Sequence, residues 1–244
     1  MTADPIAVTM PDGTCEALFY PPAGGAPAPA VLLLTDIMGI REVFEERAGT
    51  LADNGYFVLM PNIFYRSHVL PLMDHVPSMG VEADRDLLMG WAGQISPALM
   101  SADVAAWVDY LLAQPGVSGK IGAVGYCFTG QVALHAAAER PDAVRAVASY
   151  HGAWLATDAP DSPHRLLPKV KAQLYFGHAS GDPICPPSMI ETLEHALDAA
   201  GNDYRSEMYP SGHGFSVKGQ PTYSEACTAR HWQTLLDLLE TSLR

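Results

Sequence analysis

Six short apolar runs, at residues 31–35, 56–60, 121–126, 144–150, 172–177 and 204–209, recur along the chain with helix-like segments between them, and this alternation constrains the fold more than any other feature. Each run has the length of a strand, and continuous apolar runs belong inside a sheet that is covered on both faces. Strands separated by helices pair in parallel, because a parallel neighbour is reached only through a crossover of a dozen or more residues. The pattern predicts an α/β fold, a mainly parallel sheet with helices on both faces. Before the first run, residues 6–9 and 14–19 flank Pro11-Asp12-Gly13, a turn whose glycine can take positive φ, so the sheet should open with an antiparallel hairpin.

The clearest helix is expected at 101–114, with Ser101 as its cap, Asp103 in its first turn, and Val104, Trp107, Val108, Leu111 and Leu112 on one face. A second, at 189–200, closes at Gly201, and a third covers 223–239. Residues 61–80 show neither period, and loops this long are commonly functional. The segment 61–100 is therefore expected to be a loop and helix that cover a pocket, with Met73 and Met79 either walling it or filling gaps below a surface loop.

At 244 residues a single domain, 1–244, is the expected organisation. Fourteen Lys and Arg against 27 Asp and Glu give a net charge of −13, which argues against nucleic acid and anionic lipid as partners. The longest aliphatic run, 30–34, is far below the roughly 20 residues of a membrane span. Met1-Thr2-Ala3-Asp4-Pro5 has no basic segment leading into an apolar one, and Cys15, Cys127, Cys185 and Cys227 are scattered without a C-x-x-C pair, as free thiols in a reducing cytoplasm would be. No metal-ligand spacing and no glycine-rich phosphate loop is present. The expectation is a small-molecule partner, no metal and no cofactor, on a monomer or homodimer.

The chemistry concentrates at the ends of the apolar runs. Run 121–126 leads at once into Cys127, and Phe128-Thr129-Gly130-Gln131-Val132-Ala133-Leu134 opens a helix. A strand–nucleophile–helix turn lifts its central residue above the sheet edge, and the helix N-terminus favours a thiolate and offers the Phe128 N–H to a developing oxyanion. The bland alternative is a small cysteine buried in a tight turn. A base and an orienting acid follow in the order such sites use: Asp182 in the loop after run 172–177, and His213 in Gly212-His213-Gly214 after run 204–209. His151 and His178 also follow strands but lack the Gly-His-Gly setting, and read as supporting or structural residues.

Together these residues closely resemble the dienelactone hydrolase family of α/β hydrolases. The likeness runs over nearly the whole chain, through Leu34-Thr35-Asp36-Ile37-Met38-Gly39-Ile40, Pro61-Asn62-Ile63-Phe64, Gly125-Tyr126-Cys127-Phe128, Gly181-Asp182 and Gly212-His213-Gly214-Phe215. The resemblance implies an α/β-hydrolase fold and hydrolysis of a lactone or small carboxylic ester through a Cys127 thioester, with His213 as base, Asp182 as orienting acid and the Ile37 and Phe128 amides as oxyanion donors. It puts Asp36 where the family has a glutamate near the resting cysteine, which would repel thiolate, and Thr129 where the turn has glycine. Arg85 fits the first of the family's two carboxylate-binding arginines and Val217 replaces the second, which points to uncharged substrates. Phe215 and Tyr126 complete the expected substrate contacts. The alternatives are a thioesterase or general carboxylesterase of the same mechanism and, in another class, a non-catalytic ligand-binding protein of hydrolase shape.

Overall fold

The protein's computed structural model describes residues 4–244, so the first part of the N-terminal segment lies outside the described residues. Eight strands form one sheet: β1 (Pro5–Met10), β2 (Gly13–Tyr20), β3 (Ala28–Leu34), β4 (Phe57–Pro61), β5 (Val117–Tyr126), β6 (Val144–Tyr150), β7 (Gln173–Ala179) and β8 (Tyr204–Tyr209). Their order is β1-β2-β4-β3-β5-β6-β7-β8. The hairpin β1–β2 is antiparallel and joins β4 antiparallel; every later pair is parallel. This is the expected α/β-hydrolase fold.

Among the described residues six α-helices complete it: α1 (Glu42–Asp53), α2 (Glu82–Ala92), α3 (Pro97–Leu112), α4 (Thr129–Glu139), α5 (Pro187–Ala200) and α6 (Glu225–Leu243), with a 3-10 helix at Pro163–Lys169. The central strand explains why both sheet faces are covered. In β3 every residue is buried, but the pleat sends Ala30, Leu32 and Leu34 into one apolar cluster with Val104, Trp107 and Val108 of α3, and Val31 and Leu33 into another with Phe44 of α1 and Leu235 of α6. Gly201 closes α5 in the left-handed conformation, as the sequence predicts.

The start of α3 differs from expectation. Ser96, not Ser101, caps the helix by accepting the Leu99 N–H, and Pro97 occupies the first turn where a missing N–H costs nothing. Ser101 lies inside the helix and hydrogen-bonds His135 Nδ1 at 3.0 Å. Asp103 is buried away from the first turn, where it accepts Nη1 and Nη2 of Arg66 at 2.7 and 2.6 Å and the Tyr65 hydroxyl at 2.9 Å. That ion pair fastens the long loop between β4 and α2 onto α3. No helix among the described residues is long and apolar enough to cross a membrane.

Candidate active site

Three parallel strands deliver the three residues expected to do chemistry. Cys127 follows β5 with φ 54°, in the left-handed region that a side-chain-bearing residue rarely adopts. The turn is over-determined. The Cys127 N–H donates to the Tyr150 carbonyl at 3.1 Å, and its own carbonyl accepts the Ala153 and Gly130 N–H groups at 2.9 and 3.1 Å. A Cβ on Gly125 would come within 2.2 Å of the Thr129 carbonyl oxygen, so only glycine lets β5 and α4 pass this closely. Thr129, the family's glycine position, is used: its hydroxyl accepts the Tyr126 N–H at 3.0 Å and lies 2.7 Å from the Thr35 carbonyl, tying the turn to the chain after β3.

His213 stands in the loop after β8, and its Nδ1 is 2.6 Å from Oδ2 of Asp182, in the loop after β7. Asp182 Oδ1 accepts the Ile184 N–H at 2.9 Å, which fixes the carboxylate while leaving Oδ2 to the histidine. The Asp182 side chain is buried, and His213 is about one-quarter exposed. Burial alone would lower the proton affinity of the ring; the Asp182 hydrogen bond, the interaction with the Cys127 sulfur and the charges of both outweigh it and push the His213 pKa up to about 10. Nε2 is buried and makes no completed hydrogen bond at rest, as is common before substrate tightens such a site. The N–H groups of Ile37 and Phe128 have no acceptor among the described residues.

The remaining sequence-based assignments divide. Both oxygens of Asp36 are taken by Arg41, whose Nη1 donates to Oδ1 at 2.7 Å and Nη2 to Oδ2 at 2.6 Å, and the Met38 N–H adds a third bond. Asp36 therefore pairs with a guanidinium. Val217 and Phe215 are fully buried, Phe215 stacked on Tyr209 with centroids 4.3 Å apart, so neither presents surface to a substrate. Tyr126 is also fully buried and points to the α1/α6 side, where its hydroxyl meets His231 Nε2 at 2.7 Å and accepts Nη1 of Arg47 at 3.1 Å. Substrate contact by these three is ruled out by burial. Arg85 is a half-exposed residue of α2 with Asp86 at 3.8 Å.

His151 is buried with its ring 4.9 Å from that of His213, and burial, aided by the charges of His213 and Arg47, holds it far below the usual histidine range. Cys185 lies 3.8 Å from His178 Nδ1, and burial pushes its thiol up to about 12, which makes it unreactive. Beside the nucleophile turn opens a cleft of about 250 Å³ lined by Phe128, Gln131, Trp154 and residues between 89 and 100. Gln131 and Trp154 were not singled out from the sequence. Their signal was position: Gln131 is one helical turn beyond Cys127, and Trp154 follows the residue whose N–H holds the Cys127 carbonyl. Among the described residues no group of three or more His, Cys, Asp or Glu converges on a metal position.

The model of the dienelactone hydrolase family matches residues 15–243. The chain belongs to the dienelactone hydrolase family. It is thus a hydrolase, and two of its sequence relatives match it over nearly their whole length: a Synechocystis relative is 27% identical over 244 residues, covering 97% of this chain and 96% of its own, and the carboxymethylenebutenolidase of Pseudomonas putida is 25% identical over 240 residues, covering 98% and 97%. The structure of a dienelactone hydrolase-like promiscuous phosphotriesterase from metagenomic libraries superposes with a TM-score of 0.79 at 22% identity, covering 100% of this chain and 99% of that one. At that identity the likeness speaks for the fold; membership of the dienelactone hydrolase family rests on the sequence match.

Proposed function

We propose that this family member hydrolyses a lactone or small carboxylic ester through a thioester on Cys127. The observation that carries the reading is the 2.6 Å bond between His213 and a buried Asp182, with Cys127 on a left-handed turn at the end of a strand of the same sheet. The Cys127 sulfur attacks the ester carbonyl carbon while His213 holds the proton. The oxyanion forms between the unpaired Ile37 and Phe128 amides. Collapse breaks the C–O bond, and the His213 proton goes to the leaving alkoxide. The neutral ring then takes a proton from water, which attacks the thioester; the acid leaves and the sulfur regains its proton partner. No step requires a cofactor.

Turnover of 4-nitrophenyl butyrate by Cys127→Ala and Cys185→Ala tests this assignment. The first substitution should abolish turnover while far-UV circular dichroism stays that of the native protein, and the second should leave it near the wild-type rate. Activity retained in Cys127→Ala and lost in Cys185→Ala would overturn it.

A further inference from the structure

The cleft beside Cys127 has a character of its own. It is lined by Met89, Ile95 and Met100, by Phe128 and Gln131 around the start of α4, and by Trp154, and no charged side chain lines it. Its volume, about 250 Å³, would hold on the order of eight water-sized groups. Trp154 is held at φ 54°; with Cys127 and His151 it makes up all the left-handed residues other than glycine among the described residues, and all three sit at the ends of β5 and β6. Backbone strain in a bulky aromatic persists only where its surroundings over-determine it, which is typical of functional walls. Phe128, the residue that follows the nucleophile, meets Trp154 edge-on with centroids 6.2 Å apart.

Gln131 carries the one side-chain amide in this lining, and the indole N–H of Trp154 is the other conventional hydrogen-bonding group there. Gln131 is only 7% exposed, and its amide makes no hydrogen bond among the described residues. An amide that keeps solvent access on an otherwise largely buried side chain in an apolar cleft favours a neutral acceptor or donor, since an unmet polar group is costly once a ligand displaces the water. An anion finds no such welcome. Arg85 is absent from the lining, and the whole chain carries −13.

We propose that this cleft is the subsite for the acyl group of the substrate, that it takes an uncharged, largely apolar group of about five carbons, and that Gln131 selects a neutral hydrogen-bonding atom on that group. The proposal rests on Cys127 being the nucleophile, because the cleft begins at the adjacent residue.

Three 4-nitrophenyl esters of matched length test it: the valerate, the 4-oxopentanoate and the hemiglutarate, which differ only in an alkyl, a neutral carbonyl or a carboxylate near the chain end. Wild type should favour the first two over the hemiglutarate by tenfold or more in kcat/KM. Gln131→Leu should lower the 4-oxopentanoate relative to the valerate by roughly two- to tenfold, the worth of one neutral hydrogen bond. Met89 is 40% exposed on α2, so Met89→Arg adds a cation at the rim without burying it, and should raise the hemiglutarate-to-valerate ratio about tenfold. Equal use of the hemiglutarate by wild type, or ratios that neither variant moves, would overturn the proposal. If wild type turns over none of the three, the nucleophile assignment has failed, and the cleft is read by binding alone. Valeramide should then change the tryptophan fluorescence of wild type but not of Trp154→Phe, and glutaramate should change neither; the absence of a valeramide response overturns the subsite as well.

Discussion

Asp182→Asn separates orientation of the base from simple loss of packing. The asparagine carbonyl can still accept the Ile184 N–H that Asp182 Oδ1 accepts at 2.9 Å, so the loop keeps its shape. Its NH2, however, replaces the oxygen that lies 2.6 Å from His213 Nδ1. A donor facing a donor drives the ring proton to Nε2, the atom that must act as base. In wild type the ring keeps its proton up to about 10, against an ordinary value of 6.5; at 1.36 kcal/mol per unit this is about 5 kcal/mol, shared between Asp182 and Cys127. Losing roughly half lowers the pKa by about two units and the rate by about 10²-fold, and the wrong tautomer takes the loss toward the roughly 10⁴-fold seen when a serine-protease triad is altered in the same way. The assay is kcat/KM for 4-nitrophenyl butyrate from pH 6 to 11. The alkaline limb, where the ring loses its proton, should fall from near 10 to about 8 or below, with the maximum down at least a hundredfold. A folded variant with an unmoved alkaline limb and a loss under tenfold would refute the coupling.

Other perturbations follow from burial and pairing. Val217→Arg, in a fully buried position, should cost at least about 3 kcal/mol for an unpaired charge and lower the Tm by roughly 6–12 °C, whereas a Tm within 2 °C of wild type would mean that the side chain reaches solvent. His135 and His178 are held at about 4 by burial. Their folded pKa lies below the unfolded value, so stability is complete above pH 6.5 and is lost as the pH falls through 4, about 3 kcal/mol for each; urea midpoints that stay level between pH 7 and pH 4 would contradict this. Asp36→Asn should leave the rate of Cys127 alkylation by iodoacetamide within twofold and lower stability by about 1–3 kcal/mol through loss of the Arg41 pair. A several-fold faster alkylation would return Asp36 to the neighbourhood of the thiol.

The folding pattern was legible because it is written in local periods. The run 144–150 is β6 residue for residue, and the alternation along β3 already contains both sheet faces. Cys127, Asp182 and His213 were legible for a related reason: each follows a strand of a parallel sheet, and strand ends on one edge must lie together whatever the loops do. Gly125 marks the close passage of β5 and α4 in the sequence itself.

Side-chain direction beyond those strand ends was decided by tertiary packing. Tyr126 immediately precedes the nucleophile, yet the pleat turns it to the opposite face, among Arg47 and His231, a side chain from a helix 105 residues further on. Phe215 and Val217 follow His213 by only two and four residues but are folded under the loop against Tyr209, because the apolar cluster of α1 and α6 gains from burying them. Asp36 is held by Arg41, five residues on, through a bidentate guanidinium bond that the spacing of the sequence did not announce. Chain neighbours share a backbone path, and that much the sequence by itself determined. Which of them share a pocket depends on which face of each element the rest of the molecule covers, and only the assembled structure decided that.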